Sequence, residues 1–182
     1  MRKTVSTRIA VIGIGNDLAG DDGAGLEVIR LLEPGWQDDK RVLLHRLEGD
    51  LLSVGDLLPL ADAFIFVDAV AGSKAGELVR GSDLPRAFTP SFHQTDIALV
   101  MRSLRALKMA EPFPRWELWG ITIPLPETLH RGLSPKVEKA TRQLAGALDA
   151  HLRKFLNSNS LPDLCIRSSE DSHRISLFVL DA

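Results

Sequence analysis

The sequence predicts an α/β fold, a three-layer α/β/α sandwich whose mostly parallel, twisted sheet has about five strands. Two observations support this prediction. Residues 9–12 and 63–70 are almost wholly apolar and rich in Val, Ile and Phe, which is typical of strands buried on both faces of a parallel sheet. Segments with helical spacing of apolar residues lie between the strands, so we expect right-handed βαβ units with helices on both faces.

The first strand ends in a Gly-Ile-Gly-Asn turn at 13–16. A helix is predicted over 23–33, and we expect Pro34 to end it. Asp21 or Asp22 is expected to cap the start of this helix, because a carboxylate there accepts backbone N–H groups.

The middle of the chain continues the alternation. Residues 41–47 predict a second strand, 51–60 a short helical or turn region, and 78–79 a short edge strand after the strand at 63–70. A helix is predicted over 91–109, with one apolar face formed by Ile97, Val100, Met101, Leu104 and Leu107.

Residues 116–123 predict another strand, in which we expect Trp116 and Trp119 to pack in the core. Ser134 followed by Pro135 is typical of a helix start, and the helix is expected to run to about Phe155.

The length of 182 residues suits one domain, since domains typically have ~150 residues. We expect an α/β domain over 1–156 and a C-terminal tail of unknown role over 157–182. The tail contains an apolar run at 175–180, which could add an edge strand, contact a partner or remain loose.

Composition excludes several classes of function. Lys plus Arg is 22 and Asp plus Glu is 24, so the net charge of −2 argues against a nucleic-acid binder. The single cysteine, Cys165, cannot form an intrachain disulfide, which fits a reducing compartment. No apolar run is long enough to span a membrane and no signal peptide is evident, so we expect a cytoplasmic protein. The absence of coiled-coil heptads favours a monomer.

Asp22, Asp68 and His93 are the candidate site residues. Each follows or closes a predicted strand or begins a helix, so we expect them to meet beyond the carboxyl edge of the sheet, where α/β proteins bind ligands. Two carboxylates and an imidazole suit a divalent ion such as nickel, zinc or iron. Three protein ligands leave coordination positions open, as in a metal site that meets a substrate.

Simpler roles remain open for each residue: Asp22 as a helix cap, Asp68 as a structural hydrogen-bond acceptor, and His93 as an ordinary helix-start residue. Dinucleotide binding is disfavoured, because the glycine motif has Leu18 at its sixth position and acidic residues where a phosphate would lie. The glycines are better explained by a tight turn and close backbone approach.

The chain resembles the NiFe hydrogenase maturation endopeptidases over about 9–155. The resemblance lies in blocks at 11–16 (VIGIGN), 20–25 (GDDGAG), 66–69 (FVDA), 91–94 (SFHQ), 126–127 (PE) and 132–138 (GLSPKVE).

The resemblance implies an endopeptidase that removes the C-terminal peptide from the precursor of a hydrogenase large subunit after nickel insertion. It assigns contact with the metal to Asp22, Asp68 and His93. Our own hypothesis is that Asp22 is the catalytic general base; polarisation of the scissile carbonyl by the metal is the alternative or an additional contribution. Some family members have Glu at the first position, one methylene longer than Asp22. We expect nickel to be carried by the substrate, with no permanently bound metal.

Two alternatives remain. A non-proteolytic docking factor for hydrogenase maturation would keep the three ligands without cutting the precursor. A peptidyl-tRNA hydrolase also has a Gly-x-Gly-Asn turn after its first strand, but the acidic residues that follow here and the slightly negative net charge make tRNA a poor partner.

Overall fold

The computed structural model describes residues 8–81, 97–124, 129–158 and 176–177. Its elements, in chain order, are β1 (Ile9–Ile14), α1 (Ala24–Trp36), β2 (Val42–Leu47), α2 (Val54–Leu57), β3 (Ala63–Ala71), β4 (Leu78–Gly81), α3 (Ile97–Ala106), β5 (Arg115–Ile123), α4 (Pro135–Ser158) and β6 (Ser176–Leu177).

The described strands form one sheet in the order β2-β1-β3-β5-β4-β6. Strands β2, β1, β3 and β5 are parallel, whereas β4 runs antiparallel to β5 and β6 runs antiparallel to β4. The predicted α/β class and mostly parallel sheet are confirmed. The parallel strands share a carboxyl edge, and the loops that follow β1 and β3 lie there.

Helices cover both faces of the sheet, which confirms the three layers. Side chains alternate along each strand, so Ile9 and Val11 of β1 join one apolar cluster with α1 and α4. Ala10 and Ile12 join the opposite cluster with α2 and α3.

Helix α1 is longer than predicted, because it continues through Pro34 to Trp36. Proline near the end of a helix removes only one of its hydrogen bonds. Trp36 is buried, and its indole N–H donates to Asp149 of α4 at 2.9 Å. This anchoring outweighs the stop signal of Pro34.

Helix α3 ends at Ala106, earlier than predicted, and Leu107 is 71% exposed rather than buried. Lys108 has a left-handed φ of 53°. The N–H of Lys108 donates to Arg105 and that of Met109 to Leu104, which are the bonds of a Schellman helix end. The part of the predicted helix at 91–96 lies outside the described residues.

Strand β4 is not an edge strand as predicted, because Ser176 and Leu177 pair with Arg80 and Val79 on its outer side. Of the three alternatives for the apolar run of the tail, these two residues follow the first, since they add a strand to the sheet. The domain boundaries remain a prediction.

The two predicted core tryptophans, Trp116 and Trp119, are buried as expected. Between them, Glu117 is fully buried and forms two hydrogen bonds with Arg80, at 2.9 and 3.0 Å. It also accepts a hydrogen bond from the indole N–H of Trp119 at 2.7 Å, so three hydrogen bonds satisfy this buried carboxylate.

None of the described helices combines the length and the hydrophobicity that a membrane-spanning segment requires.

Candidate active site

Asp22 lies in a short 3-10 turn, Gly20–Gly23, between β1 and α1. The turn packs against β3, and Asp22 is fully buried. Since the loop that contains this turn begins at the carboxyl end of β1, Asp22 lies at the edge of the sheet that the sequence predicts.

Asp68 lies near the carboxyl end of β3 and is only 8% exposed. Alternation along β3 places Asp68 on the same face as Phe64 and Phe66, the face that α3 covers. Strand β3 is the direct neighbour of β1, with Val67 opposite Gly13. Asp68 therefore lies near the end of β3, and the neighbouring strand β1 leads into the loop that carries Asp22.

A close backbone contact at Gly25 brings these two chain segments together. A Cβ atom at Gly25 would lie 2.2 Å from the carbonyl oxygen of Ile14 and 2.4 Å from that of Val67. Only glycine allows α1 to begin this close to both strand ends. Asp22 precedes Gly25 by three residues and Asp68 follows Val67, so the contact brings the chain segments that carry both acidic residues to the same edge of the sheet.

The glycines of the turn after β1 also act through close approach, as predicted. A Cβ atom at Gly13 would lie 2.2 Å from the carbonyl oxygen of Gly25, and one at Gly15 would lie 2.4 Å from that of Asp22. Asn16 donates its backbone N–H to the same carbonyl of Asp22 at 3.4 Å. The turn thus holds the backbone of Asp22 directly.

The prediction that Asp21 or Asp22 caps α1 is wrong, since the N-cap residue of α1 is Gly23, which has no side chain. Asp21 instead accepts the backbone N–H of Ser134 and, at 2.8 Å, its hydroxyl. The two neighbouring aspartates therefore differ in role. Asp21 joins the loop to the start of α4, and the adjacent Asp22 is buried.

His130, which sequence reasoning passed over, borders the same loop. Gly20 donates its N–H to the carbonyl oxygen of His130 at 2.7 Å, and Ala19 pairs with His130 in a parallel β-bridge. Gly20 has a φ of +59°, and a Cβ atom there would lie 2.4 Å from the imidazole ring. His130 is thus a neighbour of the turn that carries Asp22, a contact without any signal in the spacing of the sequence.

His93, the third predicted ligand, lies outside the described residues. Within 8–81, 97–124, 129–158 and 176–177, no group of three or more His, Cys, Asp or Glu residues is arranged to hold a metal ion. The structure therefore brings two of the three predicted ligands to one sheet edge. The metal-binding role of the set remains a prediction.

A cleft of about 330 Å³ lies elsewhere, between α4 and the β4–β5 pair. Trp119 and His151 form an edge-to-face pair in its wall, with ring centroids 5.4 Å apart. Burial, together with the positive charges of Arg80 and Lys154, lowers the pKa of His151 to about 4. The described lining includes no carboxylate, so this cleft is separate from the site of Asp22 and Asp68.

Comparison with known proteins identifies the relatives of this chain. It is 31% identical over 141 residues to the hydrogenase 2 maturation protease of Escherichia coli (strain K12), a match that covers 72% of this chain and 82% of that protein. No family model matches the chain.

Solved structures agree with this relationship. The hydrogenase maturating endopeptidase HybD from E. coli has a TM-score of 0.63 and 30% identity, covering 81% of this chain and 93% of HybD. The [NiFe] hydrogenase maturation protease HycI from Thermococcus kodakarensis KOD1 shares the fold, with a TM-score of 0.66, 24% identity and the same coverage of 81% and 93%.

The identity and coverage confirm the resemblance found in the sequence motifs and favour a peptidase over a docking factor or a peptidyl-tRNA hydrolase. The chain belongs to the NiFe hydrogenase maturation proteases and is an endopeptidase of hydrogenase maturation.

Proposed function

We propose that this endopeptidase removes a C-terminal peptide from the precursor of a NiFe hydrogenase large subunit, and that it recognises nickel already bound to that precursor. The observation that carries the proposal is the placement of Asp22 and Asp68 together at the carboxyl edge of β1 and β3. In a chain of this family, two buried acidic residues at the same edge of the sheet suit binding of a cation.

His93 is the proposed third ligand. It precedes the first residue of α3 by four positions, and α3 covers the sheet face to which Asp68 belongs. An imidazole beside two carboxylates gives the nitrogen and oxygen donors that nickel accepts.

The proposed ligand set is incomplete without a substrate. Three protein ligands leave open positions, which the precursor's own ligands to nickel would fill. Cleavage then depends on nickel loading, because the metal ion holds the scissile segment beside the site. Correct placement of reacting groups alone can lower a barrier by roughly 7–11 kcal/mol.

Asp22 is the proposed general base. It would accept a proton from the water molecule that attacks the scissile carbonyl carbon, and the amine of the released peptide would then take up a proton. The nickel ion of the substrate could in addition polarise the scissile carbonyl. Proton transfer to Asp22 and polarisation of the carbonyl by nickel are compatible, since both would take place at the same edge of the sheet. We further propose that the chain acts as a monomer.

The experiment is a mass measurement of the precursor before and after incubation with the enzyme. We expect the wild-type chain to shorten a nickel-loaded precursor, and Asp22→Asn, Asp68→Asn and His93→Gln each to reduce kcat/KM at least about a hundredfold, as for loss of a general base or metal ligand. Asp56→Asn is the control, because Asp56 is an exposed acid of α2 away from the site. An unchanged precursor mass with folded wild-type enzyme would refute the proposed function.

A further inference from the structure

Two exposed leucines, Leu18 and Leu129, lie on the loops that border Asp22. They are 47% and 75% exposed. Ala19 and His130 pair in a parallel β-bridge, so the residues that precede them, Leu18 and Leu129, lie side by side. Ala19 is buried, and alternation turns Leu18 outward. We call this pair of side chains the leucine rim.

Backbone hydrogen bonds hold the leucine rim in place. Leu18 donates its N–H to the side-chain oxygen of Asn16 at 3.0 Å, and Gly20 donates to the carbonyl of His130 at 2.7 Å. The side chain of Asp21 fastens the same two loops through Ser134. Because these bonds already order the backbone of the rim, binding of a partner there would lose little conformational entropy.

The charges around the leucine rim do not select a charged partner. Among the described residues, Asp17 and Arg131 are the exposed charged neighbours of the rim along the chain, and their charges have opposite signs. The rim itself is apolar and adjoins the turn that carries Asp22. Apolar contact is therefore the main source of affinity that this surface offers.

We propose that the leucine rim binds an apolar side chain of the precursor segment next to the scissile peptide bond. This inference rests on the proposed function, because it takes the occupant to be the polypeptide that Asp22 helps to cleave. The substrate class is an extended peptide segment with an apolar residue close to the cut. The rim would then contribute to substrate affinity and to the choice of cleavage position, while Asp22 and Asp68 act on the bond and the metal.

The test compares two double variants in cleavage of nickel-loaded precursor. Leu18→Gln with Leu129→Gln removes the apolar rim at similar side-chain size. Leu60→Gln with Leu107→Gln is the matched control, since these leucines are 44% and 71% exposed and lie on the connections that lead into β3 and β5, at the opposite edge of the sheet. We expect the rim variant to raise KM about tenfold with kcat within about twofold, because it loses burial of apolar surface in the complex.

A conservative pair, Leu18→Met with Leu129→Met, keeps the apolar surface and should keep KM within about twofold of the wild type. If the rim variant and the control variant have the same KM, the rim does not bind the substrate and this inference is overturned while the proposed function stands. If the folded wild-type chain neither binds nor shortens the precursor, both are overturned.

Discussion

Asp21 and Ser134 are hydrogen-bonded although they are 113 residues apart in the chain. The carboxylate of Asp21 accepts both the backbone N–H and the hydroxyl of Ser134, the residue that precedes the first residue of α4. This contact joins two of the sequence blocks that resemble the family, and it fixes the residue adjacent to the proposed general base.

We expect Ser134→Ala to lower the free energy of unfolding by about 1 kcal/mol, the usual contribution of one hydrogen bond to stability. It should also lower kcat, because the loop that carries Asp22 loses a constraint. Urea unfolding and the cleavage assay measure the two effects. Ser53→Ala is the control: its hydroxyl donates to the nearby backbone carbonyl of Asp50 at 2.7 Å and does not join the loop that carries Asp22 to another segment, so kcat should not change. Equal kcat values for both variants would contradict a positioning role.

Gly25→Ala should destabilise the fold strongly. The new Cβ would meet two backbone carbonyl oxygens, which have no flexible side chain that could move aside. We expect a loss of at least about 2 kcal/mol in the free energy of unfolding, at the upper part of the range for overpacking. Gly146→Ala in α4 is the matched control, with open space at its Cβ, and should gain about 0.5–1 kcal/mol from helix propensity. Similar unfolding midpoints for the two variants would refute the close contact.

Arg80→Met should lower the free energy of unfolding by about 3–5 kcal/mol, because it removes a close cationic partner of the fully buried carboxylate of Glu117. The Arg80 side chain is 16% exposed, so water screens the pair only partly. Arg142→Met serves as the comparison. It breaks the exposed pair with Glu138 in α4 and should change stability by less than about 1 kcal/mol. Equal losses would show that burial of the Glu117 pair does not matter.

His151 should make stability depend on pH. Its pKa is about 4 in the folded chain, lowered from 6.5 mainly by burial. On acidification the unfolded chain takes up the proton first, so the stabilisation from neutral His151 is present above pH 6.5 and is lost as the pH falls from 6.5 towards 4. His151→Phe removes this contribution. Urea unfolding at pH 7 and pH 5 should show a smaller difference for the variant, and an equal difference would contradict the assignment.

The pattern of apolar residues along the chain explains which elements were predicted correctly. Consecutive apolar residues at 9–12 and 63–70 report burial on both faces, and both segments form central parallel strands. The acidic positions Asp22 and Asp68 follow from strand ends, because the carboxyl ends of parallel strands share one edge.

The errors come from contacts that local sequence does not contain. Pro34 is a local stop signal, but burial of Trp36 and its bond to Asp149 extend the helix. Asp21 precedes a helix, as a capping residue would, but its side chain accepts a hydrogen bond from Ser134 in another part of the chain. The burial of Glu117, about which no prediction was made, is accompanied by its hydrogen bonds with Arg80 in the adjacent strand, a pairing set by the register of β4 with β5.

In the proposed function, cleavage depends on nickel that is held by the substrate. The most direct measurement compares the cleavage rate of nickel-loaded and nickel-free large-subunit precursor by the same wild-type enzyme, followed by mass. We expect rapid shortening of the loaded precursor and, for the nickel-free form, a rate lower by at least about a hundredfold, since positioning by the metal is lost. Equal rates on both forms would contradict it.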